Sequence, residues 1–310
     1  MANTMDFSVD LRYCGELPKG CGFDILSRPK AMAETRNKNP DAVGGPEGIF
    51  KLLDRTAKGR GMIVRDDQFS FSELLDAARM CCRQRQRFHL IDTGKLSLFE
   101  LEWLGEAGTD IYTSDEVRPK VEELDFLARA CARGKAVVAF FHHGRTEEKA
   151  GEQDSLPFLE ALAHRGVYLH LSNREKERSL GGLSRLASAC RRGGVWLVYY
   201  HHGPFAKQIG DLIREGAWVH LSDRSLSSGE AFRSLAETIK EYSGNKPRVV
   251  VHIEEGLAAQ ALLDLERTGA FLLFKTPPSD YRSIVSAIEK RAKKRRLDFR
   301  AYYLHTTFLL

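Results

Sequence analysis

The stretch Ala128–Gly144, ARACARGKAVVAFFHHG, aligns without gaps with Ala187–Gly203, ASACRRGGVWLVYYHHG, with eight identities in seventeen positions. Each copy reads as the end of an amphipathic helix, a glycine stop, an apolar strand and a His-His-Gly turn. The strand portions, 136–141 and 195–200, are apolar on both faces, as expected for a parallel sheet covered on both sides. A second pair follows each copy: Gly166–Arg174, GVYLHLSNR, matches Gly216–Arg224, GAWVHLSDR, at five positions in nine. The repeating unit is therefore strand-helix-strand-helix.

Outward from these copies the same alternation continues. Strand candidates fall at 62–65, 88–91, 110–113, 136–141, 167–171, 195–200, 217–221, 248–253 and 270–274, each an apolar, β-branched or aromatic run that stops after four to six residues. Helical spacing fills the gaps, as in Val121, Leu124, Leu127 and Leu159, Leu162, Ala163. Four units start near 88, 136, 195 and 248, and four pairs make eight strands, the number that closes a (β/α)8 barrel. The alternative is an open β/α solenoid of the leucine-rich-repeat kind, which the extra strand at 62–65 would favour. The repeated Leu ladder and Asn of that pattern are missing. Residues 1–46, broken by Pro29, Pro40 and Gly44-Gly45-Pro46, read as an extension, partly ordered at best. Residues 47–87 read as an added helix-strand-helix unit packing on the barrel, and 88–310 as the barrel itself.

Hydrophobic residues make up 43% and charged residues 29% of 310, near the globular average. No run approaches the roughly 18 apolar residues of a membrane span. Met1–Asp10 lacks a basic region followed by an apolar run, so no secretory signal is expected. Six cysteines, mostly in helical stretches, suit reduced thiols and a cytoplasmic location. A net charge of +5 permits an anionic partner without requiring one. There is no Walker A loop, no G-x-G-x-x-G after a strand and no G-x-S-x-G.

Eight of the ten histidines lie within the strand candidates or just after them. In a parallel barrel the strand C-termini open on one rim, where catalytic residues gather. That rim would carry Asp92, Asp115, His142, His143, Asn173, His201, His202, Asp223, Glu254 and Glu255. His142, His143, His201 and His202 are candidate ligands for a divalent ion (Zn, Mn or Fe), which would lower the pKa of bound water. Neighbouring side chains on a strand point to opposite faces, so one histidine of each pair faces the centre. Asp92, Asp115, Asp223 and Glu254 are the candidate acids and bases. His170, His220, Arg224 and Lys275 are candidate substrate contacts. His170 and His220 share a strand face with Tyr168 and Trp218, and that face fits a lumen. The expected activity is a metal-assisted hydrolase or lyase on a small, anionic substrate. The alternative is a non-catalytic binding or scaffold protein. The basic run Lys290–Arg296 and the cluster Arg83, Arg85, Arg87 would serve a nucleic-acid partner, without the aromatic signature that usually accompanies one.

Phe88–Glu116, FHLIDTGKLSLFELEWLGEAGTDIYTSDE, resembles the opening of the PHP (polymerase and histidinol phosphatase) phosphoesterases. His89 matches a first-strand histidine, Asp92 stands near the next ligand, and Ser114-Asp115-Glu116 replaces a Thr-Asp-His motif. The second histidine is absent. The resemblance implies a metal-dependent phosphoesterase barrel or a degenerate relative that has lost catalysis.

Overall fold

The computed structural model describes residues 62–143, 152–174, 177–241, 248–253 and 257–274. Segments 1–46 and 290–296, with Glu254, Glu255 and Lys275, lie outside them. Nine parallel strands form one sheet: β1 Met62–Arg65, β2 Phe88–Ile91, β3 Thr109–Ser114, β4 Val138–His142, β5 Val167–Ser172, β6 Leu197–His201, β7 Trp218–Ser222, β8 Val249–Ile253 and β9 Phe271–Phe274. Each pairs with the next in chain order, and among the described residues no pairing joins β1 to β9. All nine strands fall where the apolar runs place them. β1, read from sequence as part of an added unit, is the first member of the sheet, Ile63 lying beside His89.

Helices α1 Phe71–Arg83, α2 Leu98–Glu106, α3 Val121–Arg133, α4 Glu152–His164, α5 Leu180–Arg192, α6 Lys207–Arg214, α7 Gly229–Glu241 and α8 Ala259–Thr268 follow strands β1 to β8. Ser70 with Glu73 and Ser97 with Glu100 form capping boxes that start α1 and α2. Right-handed crossovers between sequential parallel strands put every helix on one face of the sheet. Leu90, Ile111, Phe140, Leu169, Leu197 and Val219 pack there, fully buried or nearly so.

The repeat has a steric cause as well as a pattern. Gly134 ends α3 and Gly193 ends α5. A Cβ on Gly134 would stand 1.9 Å from the carbonyl oxygen of Gly105, and one on Gly193 would stand 2.1 Å from that of Ala163. Each glycine lets one helix end press on the backbone of the helix before it.

The other face carries His89, Tyr112, Phe141, His170, Val198, Tyr200, His220 and Val250, and all eight are buried. It curls inward. Strands two apart in a flat sheet stand about 9.6 Å apart. Yet Phe141 of β4 and Tyr200 of β6 have ring centroids 6.0 Å apart, and Trp218 of β7 and Phe271 of β9 only 5.7 Å. The Arg248 guanidinium beside β8 stacks 5.2 Å over Trp196 beside β6. A sheet with helices outside and an apolar, aromatic and imidazole-lined concave side has the barrel-like (β/α) architecture, with nine strands among the described residues.

Candidate functional site

Strand alternation divides the polar residues at the C-terminal ends into two sets. On the helix side stand Asp66, Asp92, Asp115, Asn173 and Asp223, each the residue just after a strand, joined by His142 and His201 at strand ends. On the concave side stand His143, Ser172, His202, Ser222 and His252, above Phe141, His170, Tyr200 and His220. The inward member of each His-His pair is thus His143 and His202.

The helix-side set is largely engaged by neighbours. Asp66 accepts from Thr93 N at 3.0 Å and Thr93 Oγ1 at 2.5 Å, and burial raises its pKa. Asp92 accepts from Gly94 N at 3.0 Å, Thr113 Oγ1 at 2.8 Å and Arg118 Nε at 2.9 Å. Arg118 in turn donates to the Leu96 carbonyl at 2.6 Å. Burial pulls the Arg118 pKa down, but Asp92 more than offsets this and raises it. Asp115 lies 2.9 Å from His142 Nδ1 and accepts from His143 N at 3.1 Å. Burial pushes the Asp115 pKa up, and the His142 contact overcomes that and holds it below the usual range. Asn173 clamps the His202 backbone from both sides, donating to its carbonyl at 2.9 Å and accepting from its N–H at 2.7 Å. His201 Nε2 sits 3.0 Å from the Pro204 carbonyl. Asp223 starts a 3-10 turn and accepts from Ser222 Oγ at 3.3 Å. These Asx residues tie one strand end to the next loop.

The concave set forms a line. His170 Nδ1 is 3.1 Å from the Tyr200 hydroxyl, Tyr200 and His220 have ring centroids 4.4 Å apart, and His220 Nδ1 is 2.9 Å from His252 Nε2. His143 packs on Phe141 at 4.3 Å. Burial first, then Arg174 and His201, pushes the His202 pKa down to about 4. Burial, His220 and His202 drive His252 well below its ordinary value. Beside the line, two equivalent turns present exposed arginines: Ser172 Oγ accepts from Arg174 N at 3.0 Å, and Ser222 Oγ accepts from Arg224 N at 3.3 Å.

The structure brings His170, His220 and the inward His202 onto one face and sets Arg224 at its edge. It leaves Asp92, Asp115, Asp223, His142 and His201 on the opposite side. Among the described residues no three His, Cys, Asp or Glu side chains gather to hold a metal ion. Tyr200 and His252 complete the line, and strand alternation with His220 and Val250 is the signal that would have found them. His89 lies nearer the strand N-termini, 3.2 Å from Asp110, which also binds Arg87 through both carboxylate oxygens. Arg87 is therefore committed inside and leaves the proposed surface cluster.

No family model matches the chain, and no curated protein matches it. The resemblance to PHP phosphoesterases thus gains no support. Among solved structures, it is similar to deoxyribose phosphate aldolase from Aeropyrum pernix, with 12% identity, 81% of this chain and 100% of that chain covered, and a TM-score of 0.31. It is also similar to type I 3-dehydroquinate dehydratase from Clostridium difficile, with 10% identity, 76% and 94% covered, and a TM-score of 0.37. Likeness this slight says nothing of this chain's chemistry.

Proposed function

We propose that the protein is an acid–base enzyme of the lyase or hydrolase type, acting on a small anionic substrate at the C-terminal end of the concave face. The observation that carries this reading is the line His170–Tyr200–His220–His252, flanked by Arg174 and Arg224. The two guanidinium groups attract the anion. Burial holds His202 and His252 in the neutral form at pH 7, the form that can accept a proton when a bound anion restores their basicity. A bound anion raises their pKa values, which couples binding to proton uptake. The hydrogen bond between His220 Nδ1 and His252 Nε2 couples the tautomers of the two rings, one donating and the other accepting.

Histidine-labelled protein titrated with inorganic phosphate, and separately with pyruvate, tests this by imidazole NMR. The expected result is a saturable shift of the His202 and His252 signals, lost in the Arg174→Ala/Arg224→Ala double variant. Zn²⁺ and Mn²⁺ titrations of the same sample test whether the inward His143 and His202 take a divalent ion. A second reading, a non-catalytic binding module, is favoured by the complete burial of His170 and His220. Silence of the imidazoles toward both anions and both metals decides for it.

A further inference from the structure

Helix α2 is apolar on both sides. Leu101 and Leu104 face the sheet and are fully buried, while Phe99 is 69% and Trp103 56% exposed. Such a helix is stable where both sides are covered. The exposed side is continuous with its neighbours: Phe71 of α1 meets Trp103 at 6.0 Å, and Phe126 of α3 meets Phe99 at 6.1 Å. The result is an aromatic stripe across three successive helices, beyond the scattered apolar residues normal on a surface.

The charges around the stripe bear on its occupant. Arg133 of α3 binds Glu102 and Glu106 of α2 at 2.8 and 2.7 Å, Arg129 binds Asp125 at 2.8 Å, and Asp76 and Arg79 of α1 lie 4.0 Å apart. Both signs therefore occur on each flank. We propose that this stripe is the interface between two copies of the chain, related by a twofold axis crossing α2. A twofold interface sets a surface against itself, so it must be its own complement. An aromatic stripe meets that condition. A rim of mixed sign meets it as well, since acid and base can exchange partners across the axis. A rim of one sign would repel its own copy and suit a nucleic acid or a strongly charged protein instead. Phe99 and Trp103 supply the central aromatic anchors that such contacts need.

Sedimentation velocity of the full chain between about 1 and 100 µM tests the proposal. The expected result is a monomer–dimer equilibrium in which Trp103→Ala and Phe99→Ala each raise the dissociation constant at least about thirtyfold. Circular dichroism should be unchanged, because both rings are exposed. A wild-type chain that sediments as monomer at about 100 µM overturns the proposal. So does a dimer whose dissociation constant is untouched in the Phe99→Ser/Trp103→Ser variant.

Discussion

Asp92 answers to a closed set of donors, and its removal leaves the half-buried Arg118 guanidinium without its nearest counter-charge. Asp92→Ala should cost about 2–3 kcal/mol by urea denaturation, with Thr113→Val costing less. Lys135 adopts a left-handed conformation, φ 57°, at the position where the other repeat has Gly194 at φ 71°. Lys135→Gly should stabilise by up to about 1 kcal/mol, read as a raised urea midpoint. His202 titrates near 4 in the folded chain and near 6.5 when unfolded. The unfolded chain therefore binds this proton first, and stability falls as pH drops from about 6.5 toward 4. His202→Gln should flatten that limb of a stability–pH curve. Asp115 acts at lower pH, its contribution lost as pH falls through its depressed folded value. At this scale the sequence is least legible. Asp92 and Asp115 look like catalytic acids because they follow strands. Which side they face, and whether a distant arginine or histidine already holds them, depends on contacts more than twenty residues away.

The elements were far more legible, because the signals are local. Each strand is a short apolar run, and each turn has a glycine or a capping serine. The duplicated Cys-x-Arg-Gly steps mark identical helix ends. Gly134→Ala and Gly193→Ala should each destabilise by at least about 3 kcal/mol, since the added methyl meets backbone rather than a yielding side chain. Gly181, in the first turn of α5, has nothing within 4 Å of an added Cβ, and Gly181→Ala should gain about 0.5–1 kcal/mol. Alternation along a strand also sorts His-His correctly: one ring inward, one beneath the helices. Which of the pair points inward needed the register with Phe141 and Tyr200.

For the molecule as a whole, strictly sequential pairing made the barrel-like reading accessible from periodicity alone. Strand count was the harder matter, because β1 is short and precedes the first repeat. If the concave face binds anions, apparent affinity for phosphate should tighten as pH falls toward the depressed His202 value of about 4, measured by calorimetry at constant ionic strength. Affinity independent of pH would separate anion capture from the imidazole line.

The neighbour-by-neighbour ladder has a mechanical corollary. Among the described residues each strand is hydrogen-bonded only to the one before and the one after it, so a pull along the chain meets a series of equivalent seams rather than one clasp. Force should peel it in instalments of one strand and one helix, about 21 to 31 residues each. Each instalment would release roughly 80–110 Å of contour, a sawtooth that optical tweezers would record.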